Sequence, residues 1–251
     1  MMALFSDYAI FPYCILVFGI GGIVKGVSGV GLPVIAVTLL GFVMGPIEVI
    51  ALLPLAIIVT NIRQFFGSLY PAEISRKYAV FAIALVVPMF LSSLLILQVP
   101  TRLIELLMGI SVFLFSVTSL FGFGVKIGAG RFWQVAMGLI SGTLGGLTSI
   151  WGPTVTLYLV ARNVEKDEFI AAIGFMFLVG SIPLIAGLTL SGVITFDVLL
   201  LSVVYAAVSL AAMRVGEIVR SRLRGERFRR VVLVVFLLMG LRLIVVGFLP
   251  T

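Results

Sequence analysis

Two stretches of the chain carry residues whose types and spacing could hold an anion. The first contains Lys25, Ser28, Gly29, Gly31 and Pro33. The second contains Thr148, Ser149, Trp151, Gly152 and Pro153. Each places hydroxyls just ahead of a Gly/Pro step inside an otherwise apolar run. Proline in the first turn of a helix costs no hydrogen bond, so Gly31-Leu32-Pro33 and Trp151-Gly152-Pro153 read as helix starts. The first N–H groups of a helix lack partners within it and carry partial positive charge, which suits an oxyanion. Glycine permits close backbone approach and positive φ. The upstream hydroxyls can cap the helix or bond a ligand. The glycines of Gly22-x-x-x-Gly26 and Gly138-x-x-x-Gly142-x-x-x-Gly146 admit a second reading, helix packing alone.

Other polar residues lie inside apolar stretches. Lys25 either neutralises a bound anion or reaches to the membrane surface along its alkyl stem. Asn61, Arg63 and Gln64 form a polar cluster near a helix end. Asn61 is the deeper and better site candidate, while Arg63 either joins the site or anchors the helix end. Trp151 either walls a pocket or sits at the interface. Glu48 and Glu168 each precede an apolar run, where acids suit the first turn of a helix. Arg162, following Tyr158, reads as an anchor.

Enzymatic chemistry finds no support. The chain has no histidine and one cysteine, Cys14, so a disulfide within it and a Cys-based metal site are excluded. H-E-x-x-H, G-x-S-x-G and Walker A spacings are absent. No catalytic residue, cofactor or metal is expected.

The elements that position these residues are membrane helices. Of 251 residues, 62% are hydrophobic and 11% charged, and the mean hydropathy is +1.31. That leaves too little polar surface to cover a globule in water. Apolar runs long enough to cross a bilayer cover 49–68, 78–98, 103–123, 168–190, 194–213 and 230–249. Regions 9–44 and 132–162 are interrupted by Gly and Pro. Each reads as two short helices around a break, near 28–32 and 148–152. Counting each as a down-and-up pair, thirteen basic residues fall on one side and Arg102 alone on the other. The first side is therefore expected to be cytoplasmic, with both termini outside. Seven of the 17 basic residues lie in 214–230, read as a loop facing anionic lipid heads rather than nucleic acid. The first apolar run has no basic residue before Lys25, so it is expected to be retained rather than cleaved.

Sliding the chain by 120 residues superposes the two broken regions. Gly22 falls on Gly142, Gly26 on Gly146, Pro33 on Pro153 and Glu48 on Glu168. Between 20 and 62 there are ten identities, against about four or five expected from composition. The excess falls on residues that shape the backbone. The expected fold is an all-α integral membrane protein of two inverted-topology repeats, 1–125 and 126–251, with five segments each. The first two segments of each repeat are expected to be short, and either Gly/Pro-broken or re-entrant. In this layout the matching interrupted segments mark the binding site near the midplane.

Residues 19–33, reading GIGGIVKGVSGVGLP, resemble the first signature of the TauE/SafE sulfite-exporter family. Residues 138–146, reading GLISGTLGG, with Gly152-Pro153 beyond, resemble the second. The resemblance spans nearly the whole chain. It implies export of sulfite, sulfoacetate or a related sulfur oxyanion across the cell inner membrane. Three other readings stay open: another small organic anion, a metal cation, or a membrane assembly subunit without transport. A metal transporter would want carboxylates or histidines deep in the membrane, and every acid here can be placed at or near a segment end. The expected partners are the anion and the lipid bilayer, and a homo-oligomer is left open.

Overall fold

The computed structural model describes residues 10–121, 128, 130–222 and 226–248. The chain ends, the expected repeat boundary at 125/126, and Lys126 and Arg224 of the charge count lie outside them. Ten α-helices and one 3₁₀ turn (Ile96–Gln98) occur among the described residues, without a strand. In chain order they are α1 (Ile10–Ser28), α2 (Leu32–Leu40), α3 (Pro46–Phe66), α4 (Pro71–Leu94) and α5 (Thr101–Phe121). Then follow α6 (Arg131–Thr148), α7 (Gly152–Ala161), α8 (Lys166–Leu190), α9 (Phe196–Arg222) and α10 (Glu226–Phe248). Five of them, α1, α3, α4, α8 and α9, are long and apolar enough to cross a membrane. Large apolar side chains such as Ile83, Phe132 and Phe196 point outward, which suits hydrocarbon as the surrounding solvent.

Both breaks fall where the Gly and Pro residues place them. The lengths around them differ from expectation. α1 and α6 are 19 and 18 residues long, near full span, while α2 and α7 are 9 and 10. At 1.5 Å per residue, α2 is about 14 Å long, half a hydrocarbon core. α2 folds back along α1. Leu32 lies against Gly21 near the break, and the Tyr13 hydroxyl donates to the Leu39 carbonyl at 2.9 Å at the other end. α7 returns along α6 in the same way, with Ser141 and Thr154 hydroxyls 2.6 Å apart. Each pair is thus a hairpin of one near-full helix and one half helix.

Two other expectations need correction. The described residues of the basic stretch 214–230 are helical rather than a loop: α9 continues through Arg222 and α10 begins at Glu226. Arg214, Arg220, Arg222, Arg227, Arg229 and Arg230 lie on helix ends that extend past the apolar run. Helices α3 and α4 start three and seven residues before their hydropathy windows, at Pro46 and Pro71. Proline is pre-set for a first helical turn, and the polar turn after Pro71 hid that start from a hydropathy count.

The main helix pairs are α4 with α6, α1 with α9, α5 with α10, α4 with α8, α3 with α9 and α3 with α8. Glycines allow the closest of these. A Cβ on Gly22 or Gly26 would strike the Ser209 or Met213 carbonyl of α9. One on Gly142 or Gly146 would strike the Leu85 or Met89 carbonyl of α4. These small-xxx-small motifs therefore serve packing.

Candidate functional site

The tips of the two hairpins meet at one small cavity. The first tip lines it with Val30, Gly31, Pro33 and Val34, and the second with Ile150, Gly152 and Pro153. Phe115 of α5 and Phe177 of α8 complete the wall. Both half helices start here. The first bonds of the helical ladder are Ile35 N–H to the Gly31 carbonyl (2.9 Å) and Val155 N–H to the Trp151 carbonyl (3.2 Å). The N–H groups of Leu32, Val34, Gly152 and Thr154 precede that ladder. Neither start has a side-chain cap, so these donors remain for a ligand or water.

The two tips are built alike. Gly29 has φ +82° and Ser149 has φ 56°, both left-handed. That conformation is free for glycine and costs a serine about 1–2 kcal/mol. Each closes the preceding helix: Gly29 N–H donates to the Lys25 carbonyl at 2.7 Å and Ser149 N–H to the Gly145 carbonyl at 2.8 Å. The Ser28 hydroxyl oxygen lies 2.8 Å from the Val24 carbonyl and 2.6 Å from the Val30 carbonyl, and accepts from Val30 N–H at 3.3 Å. Thr148 repeats the pattern with Leu144 at 2.6 Å and Ile150 at 3.3 Å, accepting from Ile150 N–H at 3.1 Å. Both hydroxyls are thus engaged in holding the tips, not free for a ligand.

The second tip carries donors without partners. Ser149 Oγ and Trp151 Nε1 are buried and unbonded, as is Thr156 Oγ1 on α7. The Trp151 ring stacks on Phe177, with centroids 4.5 Å apart. It therefore walls the interior and is not an interfacial aromatic.

Lys25 is 2% exposed, which overturns the reading in which it reaches to the surface. Its Nζ donates to Asn61 Oδ1 at 2.8 Å and lies 5.5 Å from the Phe177 ring centroid. Asn61 in turn donates to the Ile57 carbonyl at 2.7 Å, which fixes its oxygen toward Lys25. A buried lysine amine with one hydrogen-bond acceptor keeps further donor capacity. Phe177 links the two features, since it lines the cavity and touches both Lys25 and Trp151.

Arg63 lies elsewhere. Its guanidinium pairs with Glu217 of α9 at 2.7 Å, away from the lining of the tip cavity. Gln64 lies closer, near Gly29, and donates to the Ile170 carbonyl at 2.8 Å while its side-chain oxygen is buried and unpartnered. Glu48 caps as expected, accepting from Gly45 N–H at 2.9 Å. Glu168 sits in the first turn of α8, but its carboxylate is taken by Lys77 and the Tyr78 hydroxyl of α4. Arg162 donates to the Tyr158 hydroxyl at 2.8 Å.

Phe115 and Phe177 were missed by sequence reasoning. An aromatic in an apolar helix has no mark of its type or spacing that separates cavity lining from lipid contact. Among the described residues no group of His, Cys, Asp or Glu could hold a metal ion.

No curated protein and no solved structure matches the chain. The family model for the sulfite exporter TauE/SafE matches residues 14–243, nearly the whole chain. With its apolar helices and paired broken segments, the protein belongs to the TauE/SafE family of membrane sulfite exporters.

Proposed function

We propose that the protein is a secondary transporter exporting a small sulfur oxyanion, sulfite or an organosulfonate such as sulfoacetate. The anion sits between the two half-helix starts. One observation carries this reading: two uncapped helix N-termini converge on one cavity. Converging N–H groups and helix dipoles stabilise negative charge without a metal. Lys25, held by Asn61, supplies a further donor and, when protonated, a positive charge. Ser149 and Trp151 offer further donors, while Ser28 and Thr148 keep the tips in shape. A small cavity favours a small anion.

Inverted repeats of five helices give the two tips their likeness. Three observations support this: the matched left-handed residues Gly29 and Ser149, the matched hydroxyl bonds of Ser28 and Thr148, and the matched helix pairs. Under the 120-residue shift, α1 with α9 corresponds to α6 with α4, and α3 with α9 to α8 with α4. The end bearing Arg76, Lys77, Arg162 and Lys166 faces the cytoplasm. Export then runs downhill on a negative interior, worth about 2.3 kcal/mol per charge per 100 mV.

Flux into proteoliposomes tests the reading. Labelled sulfite or sulfoacetate should move and labelled divalent metal should not. Metal flux without anion flux would replace it with a cation transporter.

A further inference from the structure

A second cavity lies along the same two helices as the first, toward the end of the bundle where α2 stops and α5 begins. α2 contributes Val34 to the tip cavity and Val37 to the second, and α5 contributes Phe115 to the one and Met108 to the other. The second cavity is also lined by Arg242 of α10 and Glu105 in the second turn of α5. Arg242 is six residues from the end of α10, about 9 Å of helix. Its guanidinium carbon lies 3.7 Å from the Phe42 ring centroid. Stacking of this kind holds the planar group while leaving its edge N–H donors open. Neither Arg242 nor Glu105 belongs to an ion pair among the described residues. The two ion pairs among the described residues, Arg63 with Glu217 and Lys77 with Glu168, lie at the opposite end of the bundle.

We propose that Arg242 and the cavity around it form a second anion site, a station between the hairpin tips and the outer medium. The proposal rests on the reading of the protein as an anion transporter. A transported ion needs stations attractive enough to enter and weak enough to leave. Arg242 supplies the attraction. Glu105 in the same cavity opposes it and keeps the site weak. The transported oxyanion is thus drawn from the tips by one fixed charge and released past another of opposite sign.

The two residues give opposite expectations, which a merely structural role would not. With the full chain in proteoliposomes, Arg242→Gln should lower sulfite flux at low concentration about tenfold. Arg242→Lys should keep most of it, since the charge remains. Glu105→Gln should lower the half-saturating sulfite concentration and slow flux at saturation. Binding at the tips is read separately, by Trp151 fluorescence on a Trp133→Phe background. Sulfite affinity there should be unchanged in all three variants. Wild-type flux in Arg242→Gln, or equal losses in Arg242→Gln and Glu105→Gln, would overturn the station while the tip site stands. Absence of both fluorescence response and flux in the wild type would overturn the anion reading, and the station with it.

Discussion

Lys25 Nζ donates to Asn61 Oδ1 at 2.8 Å across α1 and α3, in an interior where both side chains are buried. The bond sets a lysine charge behind the Phe177 ring, where an anion at the tips could feel it. Removing either partner has a different result. Asn61→Leu leaves the ammonium without its acceptor and should cost about 1–3 kcal/mol of stability. Lys25→Met leaves only an amide oxygen unpaired and should cost less, yet lower sulfite affinity at least tenfold. Melting temperature in detergent and sulfite binding read the two effects. Equal affinity in Lys25→Met and wild type would remove Lys25 from the site.

Ser149 offers a sharper separation of stability from function. Ser149→Gly relieves a left-handed serine, and should leave stability unchanged or raise it by up to about 1 kcal/mol. It also removes a buried, unpartnered hydroxyl. If that hydroxyl donates to the substrate, affinity should fall about tenfold, the worth of one hydrogen bond to a charged ligand. A variant that is both as stable and as tight as wild type would show that the hydroxyl is a bystander.

Ser28→Ala and Thr148→Ala should behave alike. Each removes a hydroxyl that ties a tip to itself, so each should cost about 1 kcal/mol of stability. Affinity should drop through lost tip geometry, and Ser28→Thr and Thr148→Ser should restore it. If only one of the two alanine variants lost stability, the likeness of the tips would not extend to their energetics.

Orientation is open to a direct check. A reporter fused after Thr251 that is active only in the cytoplasm should stay silent if both termini face outward. A bright fusion would reverse the parity and put the Arg63–Glu217 end outside.

Much of this arrangement can be read from residue types alone. The breaks were legible because Gly29, Gly31, Pro33, Gly152 and Pro153 interrupt apolar helices, and few other residues do. Ser149 in place of a glycine was not, because its left-handed backbone follows from the tip around it. The packing role of Gly26 and Gly146 needed the partner helices, since carbonyl contact leaves no trace in the glycine's own sequence neighbourhood. The stretch 214–230 was misread because charge density marks both loops and helix ends that leave the bilayer. Phe177 was invisible because an aromatic facing lipid and one facing a cavity satisfy the same hydropathy.

The half-length of α2 and α7 also bears on how the chain is made. A helix of nine or ten residues is too short to cross hydrocarbon, and its uncapped first turn would meet lipid unsatisfied. Neither half helix can settle in the bilayer alone. α2 has a scaffold at once, because α1 precedes it and Tyr13 takes hold of Leu39. The finished cavity needs more, since Phe177 of α8 is synthesised after both tips. Biogenesis must therefore end with a docking step inside the membrane, after the long helices have been released. A chain truncated before α8 should insert but bind no sulfite at the tips.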